Sequence, residues 1–136
     1  MKGLYDALVT AAIAALKNAY CGEDSTRFGA AVLTESGAIY SSGQYFSDTL
    51  SLTLHAEQAA LAHAAAHGEH TIVAIACVST EDPRKEKYCH PCGMCKQLIY
   101  ESYRRSNSTI KVVMANEKGE YETKDINEMV NHPWPY

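Results

Sequence analysis

The sequence is poor in the features that mark several common protein classes. It has no excess of positive charge: 12 Lys and Arg stand against 16 Asp and Glu, for a formal net charge of −4. Nothing in that balance draws in a polyanionic nucleic acid or an anionic membrane face over a broad surface. It has no apolar run near the roughly 18 residues needed to span a bilayer. No internal repeat, low-complexity tract or linker breaks it up. The apolar stretch over residues 7–16 is not read as an export signal, because Asp6 interrupts its start, one lysine precedes it and its apolar residues fall at helical spacing. An even set of cysteines is also missing. The five present, Cys21, Cys77, Cys89, Cys92 and Cys95, argue against a disulfide framework and for free, metal-bound or redox-active thiols. What remains is a single domain over residues 1–136, placed in the cytoplasm and acting on a small substrate. With 46% hydrophobic and 21% charged residues among 136, the chain can bury a real core.

What is there reads as alternating elements. Leu4, Leu8, Ala11, Ala12, Ala15, Leu16 and Ala19 recur at three- and four-residue steps, which predicts an amphipathic helix over residues 4–20, ended near Cys21 and Gly22. Gly29 to Leu33 and Ala38 to Ser42 flank the turn cluster Thr34-Glu-Ser-Gly37 and read as a β-hairpin. The Ala-rich stretch from Leu54 to His67 closes at Gly68 and reads as a buried helix with a glycine cap. Thr71 to Val78 is a continuous apolar, β-branched run, expected of a strand covered on both faces. A polar loop over residues 79–90 leads to a helix over 93–105, with Leu98, Ile99 and Tyr103 inward and Arg104 and Arg105 at its negative end. Ile110 to Met114 is another strand, Glu117 to Glu120 a turn, and Lys124 to Val130 a short last helix. The order predicts an α/β fold: a mixed sheet of about five strands between helices on both faces.

The residues that carry chemistry open two of these helices: His55-Ala56-Glu57 and Pro91-Cys92-Gly93-Met94-Cys95. Helix N-termini carry partial positive charge, which favours thiolate at Cys92 and Cys95. A CxxC turn brings two sulfurs to one point, and one imidazole completes a three-ligand tetrahedral zinc site whose fourth position stays open for chemistry. Two thiolates and a neutral imidazole offset the charge of Zn²⁺ and leave a Lewis acid that lowers the pKa of water toward about 7. Glu57, two residues past His55, is placed to move protons beside the ion, and the same position suits an ordinary first-turn carboxylate. The competing readings are a redox dithiol or a structural zinc knuckle that draws in Cys89 at CxxCxxC spacing; neither explains the HAE triplet. Cys89 is read as a bystander thiol. His63, His67 and His70 lack thiolate or carboxylate support and are read as solvent-edge histidines.

H-x-E followed by P-C-x-x-C is the pattern of zinc-dependent nucleobase deaminases. Over nearly its full length the chain resembles the cytidine deaminase family, in the helix ending Ala19-Tyr20, Gly29-Ala-Ala-Val-Leu33, Leu52-Thr-Leu-His-Ala-Glu57 and Pro91-Cys-Gly-Met-Cys-Lys-Gln97. The resemblance implies a three-layer α/β/α fold, zinc held by His55, Cys92 and Cys95, and Glu57 as proton shuttle. It implies hydrolytic deamination of a cytidine-type nucleoside, pyrimidine salvage as one role, and base contacts from Ala56 and from the carbonyls of His90 or Pro91. Short relatives are commonly homotetramers and longer ones dimers, so a homo-oligomer is expected, the tetramer first. In many short relatives a Cys stands at position 55 and an Arg at 58; His55 removes the extra thiolate charge that the Arg compensates, and Gln58 agrees with a histidine ligand.

On the sugar side the resemblance thins. Family members place an Asn and a Glu on the ribose hydroxyls where this chain has Gln44 and Phe46. Gln44 retains hydrogen-bonding capacity, whereas Phe46 accepts nothing. The family aromatic before the Gly-Ala-Ala strand aligns with Thr26, and Phe28, on the same strand face, is the candidate to replace it. Trp134, in the tail His132-Pro-Trp-Pro-Tyr136, is a candidate to cap the base or to seal the domain edge. Blasticidin-S deaminases also lack that Glu, so an antibiotic-like aminated heterocycle stands as the alternative substrate, with a non-catalytic zinc or redox module behind it.

Overall fold

The computed structural model describes residues 3–80 and 87–135. Helix α1, Asp6–Ala15, runs into a 3-10 turn, Leu16–Asn18, and is followed by the antiparallel strands β1, Phe28–Thr34, and β2, Ile39–Gly43. Helix α2, Ala56–Ala66, leads to the central strand β3, Ile72–Ser79. Helix α3, Gly93–Ser106, leads to β4, Lys111–Ala115, and β5, Tyr121–Asp125, which ends in a 3-10 turn at Ile126–Glu128. The strands form one sheet in the order β2-β1-β3-β4-β5. Only the β3–β4 pair is parallel, so the sheet is mixed as expected.

The period-2 alternation of the inner strands feeds two cores. Ala30 and Val32 of β1, Ile75 and Cys77 of β3, and Val112 and Met114 of β4 face α2 and α3. Ala31, Ala74, Ala76, Val78, Val113 and Ala115 face Leu8, Val9, Ala12 and Leu16 of α1. The strand residues on the α1 side are small, and the helix sits close. Gly29 and Gly43, paired across β1 and β2, lie directly beneath it: a Cβ at Gly29 would meet the Ala12 carbonyl oxygen at 2.2 Å, and one at Gly43 the Ala19 Cα at 2.6 Å.

The expected helix over 4–20 is shorter, and Leu4 lies outside it, exposed. In α3, Ile99 is buried as expected, but Leu98 and Tyr103 are half-buried and the neighbouring Tyr100 takes the inward place. The expected last helix over Lys124 to Val130 is not formed. Residues 121–125 instead continue the hairpin from β4, with Tyr121 paired to Ala115 and Asp125 to Lys111. This edge strand is polar and largely solvent-facing, so it carries no apolar alternation to betray it, and its charges blunt the open edge. Of the predicted 79–90 loop, residues 81–86 lie outside the described residues.

Candidate active site and metal centre

Two helix starts build the site. His55 is the N-cap of α2 and Cys92 the N-cap of α3, both with extended backbone, and Cys95 sits in the first turn of α3. Gln58 Oε1 accepts the His55 backbone N–H at 2.8 Å, and the Lys96 N–H reaches the Cys92 carbonyl at 2.8 Å, so each turn is fixed by its own local hydrogen bond. His55 Nδ1 lies 3.3 Å from Cys92 Sγ and 3.3 Å from Cys95 Sγ. All three donor atoms fall within 4.8 Å of one another, close to the roughly 3.6 Å that bond lengths of about 2.0 and 2.3 Å give for N and S on one tetrahedral zinc ion. Burial pushes the Cys95 thiol up, with Glu57 and Cys92 adding to it. A thiolate there needs a cation for company, which is the chemistry of a metal ligand. The donor set fits zinc.

Glu57 lies in the first turn of α2 and is buried. Desolvation raises its pKa, and its own backbone N–H only partly offsets that. A cavity of about 670 Å³ opens over His55, Cys92 and Glu57, with Cys95 buried beneath. Every expected substrate-side residue but one lines it: Phe28, Gln44, Phe46, Ala56, His90 and Pro91. Trp134 is the exception. It lines a separate depression with Gly93, Gln97 and Met129, where its carbonyl accepts the Gln97 side-chain N–H.

Gln44 reaches the wall with its carboxamide already bonded at both ends, Oε1 accepting from Phe28 N at 2.7 Å and Nε2 donating to the Thr26 carbonyl at 2.8 Å. Cys21, Ser25, Thr53 and Lys96 also line the cavity and were not singled out from the sequence. Only Thr53 carried a signal, alternating with exposed Leu52 and Leu54 just before His55. Cys89 is outside the donor group. Its carbonyl accepts a 3.4 Å hydrogen bond from Cys77 Sγ, and all five cysteines are free. His63 and His67 pack around Tyr40, and among the described residues the His55, Cys92 and Cys95 group is the one arranged to hold a metal.

Residues 4–113 match the family described as the cytidine and deoxycytidylate deaminase zinc-binding region. The chain belongs to the cytidine and deoxycytidylate deaminase family. A cytidine deaminase of Sporosarcina psychrophila is 32% identical over 117 residues, 85% of this chain and 80% of that protein. One from Halalkalibacterium halodurans is 30% identical over 124 residues, 90% of this chain and 88% of that protein. The crystal structure of cytidine deaminase from Burkholderia pseudomallei shares the fold with a TM-score of 0.82 at 28% identity, covering 94% of this chain and 97% of that one. A zinc-binding deaminase family and a converged His/Cys/Cys donor set together give the cofactor as Zn²⁺.

Proposed function

We propose that this deaminase-family chain is a single-domain, zinc-dependent enzyme that hydrolyses a cytosine-type nucleoside to the uracil-type product and ammonia. The observation that carries the reading is the convergence of His55 Nδ1 on both sulfurs at 3.3 Å with the buried Glu57 on the same cavity wall. His55, Cys92 and Cys95 hold the ion, which supplies a Lewis acid that makes water nucleophilic near neutral pH.

Glu57 does the proton work. Glu57, as carboxylate, takes a proton from the attacking water and passes it to ring N3 as the hydroxyl adds at C4, and burial, which raises its pKa, makes it the stronger base for the task. It then takes the proton of the new C4 hydroxyl and delivers it to the exocyclic amino group; the C4–N bond breaks as the C4 carbonyl forms, and ammonia leaves a uracil-type ring. The Ala56 backbone and the His90 and Pro91 carbonyls hold the base at this end. The test is ammonia release from a panel of cytosine nucleosides by zinc-loaded protein; stoichiometric zinc with no ammonia from any of them sinks the reading.

The working state in this reading is a homo-oligomer, the tetramer favoured. Tyr20 and Tyr45 stack at 4.6 Å, Tyr45 pairs in turn with Leu54, and Leu50 and Leu52 beside them are 75% and 66% exposed. Exposed apolar side chains grouped in this way are what marks an interaction site. It adjoins Phe46 at the cavity, so a second copy seated there also walls the site. Sedimentation of the wild type and of Leu50→Asp/Leu52→Asp tests this, with smaller species expected from the variant; a monomeric wild type overturns it. The cytoplasm suits five free thiols, and no helix among the described residues is long and apolar enough to cross a membrane.

A further inference from the structure

Beyond the groups that work on the base, the cavity wall has an unusual make-up for holding a sugar. Both phenylalanines of the chain line it and not the core, at 36% and 37% exposure. Two of the polar side chains there are engaged with neighbouring backbone. The Gln44 carboxamide braces the backbone of Thr26 and Phe28, and the Thr53 hydroxyl both accepts from Ser47 N at 2.9 Å and donates to Ser47 O at 3.3 Å. Among the described residues of this chain Glu57 is the single carboxylate on the wall, and it is occupied with the ring. A ribose diol brought into such a cavity gives up its hydrogen bonds to water and finds no carboxylate to replace them, whereas apolar carbon gains by covering the two phenyl rings.

We propose that the cavity selects cytosine nucleosides whose sugar is deoxygenated over cytidine itself, with Phe46 as the discriminating residue. This rests on the deaminase reading of the site and names its substrate class. Phe46 lines the cavity where the loop over residues 45–54 meets it, and its ring offers no acceptor to a hydroxyl. Leaving a buried hydroxyl unpaired weakens binding by about tenfold, so 2′,3′-dideoxycytidine gains on cytidine by at least that factor.

The experiment is calorimetric binding of 2′,3′-dideoxycytidine and cytidine to zinc-loaded Glu57→Gln protein, which holds substrate without turning it over. The expected result is tighter binding of the dideoxy compound by about tenfold or more. Adding Phe46→Glu brings the ratio to one or below, and Phe46→Asn, a smaller change that covers a failure of the first variant to fold, narrows it. Phe46→Leu keeps the preference. Cytidine binding as tightly as the dideoxy compound, or a ratio unmoved by either polar variant, overturns the proposal. The ratio of kcat/KM values with Glu57 intact reads the same preference in turnover. Absence of ammonia from both compounds is instead a failure of the deaminase reading, since the binding ratio remains readable without catalysis.

Discussion

At Glu57, Glu→Gln removes the titrating oxygen and keeps the shape. Turnover is expected to fall by about 10²- to 10⁴-fold while zinc content, measured by atomic absorption, stays at that of the wild type; a drop in zinc would move Glu57 from proton carrier to structural support. A second carboxylate, Glu69, is governed by its neighbours. Thr34 Oγ1 donates to it at 2.7 Å, Ser36 and Tyr40 donate as well, and these hydroxyls lower its pKa from 4.5 to about 2. Because the folded value is depressed, Glu69 contributes stability that is fully present above about pH 4.5 and is lost as pH falls toward about 2. Glu69→Gln is therefore expected to lower the unfolding midpoint at pH 7, with the gap to wild type closing as the pH is taken down toward 2; a gap independent of pH would assign the effect to packing alone. Residues of these two kinds differ in legibility. His55, Glu57, Cys92 and Cys95 declare themselves by local spacing, whereas the engagement of Gln44 depends on partners 16 and 18 residues away that no local pattern reveals.

Elements follow the same division. The hairpin, α2, β3, α3 and β4 are visible from local features: a turn cluster at Gly37, an Ala-rich run closed by Gly68, apolar β-branched runs, and basic residues at the end of α3, with Gly37 and Gly68 both at positive φ. The last strand, Tyr121–Asp125, is missed, with the expected helix starting inside it at Lys124, because a polar, exposed segment has no periodicity of its own; it becomes a strand only because β4 offers it an edge. The close approach of α1 to the β1–β2 hairpin rests on Gly29. Placing a methyl 2.2 Å from the Ala12 carbonyl oxygen forces backbone apart from backbone, so Gly29→Ala is expected to cost about 3 kcal/mol or more, read by urea unfolding. Gly37→Ala is strained by its positive φ and meets no neighbour, so it is expected to cost less, near 1 kcal/mol. Equal costs would show that the contact with α1 yields easily.

For the molecule as a whole, the proposed zinc site joins parts that are far apart in sequence. His55 starts α2 and Cys92 starts α3, so an ion held there would tie two helices of one layer at their N-terminal ends. Free zinc at a thousandfold over its Kd stabilises by about 4 kcal/mol, and a chain of this size shifts by about 3 °C or more per kcal/mol. Chelation is expected to lower the melting temperature by roughly 10 °C or more, restored by zinc; an unchanged melting curve in zinc-free protein would separate the metal from the fold. The sequence by itself determined the layered α/β architecture and pointed to the candidate donor set and the candidate proton carrier, because periodicity, capping and ligand chemistry are written in residues close together along the chain. Tertiary structure alone decided that the three donors meet at 3.3 Å, that Gln44 turns to the backbone, that both phenylalanines face the cavity and that Trp134 does not. Those outcomes depend on how strands and helices distant in sequence are brought side by side, a matter of packing that no local pattern contains.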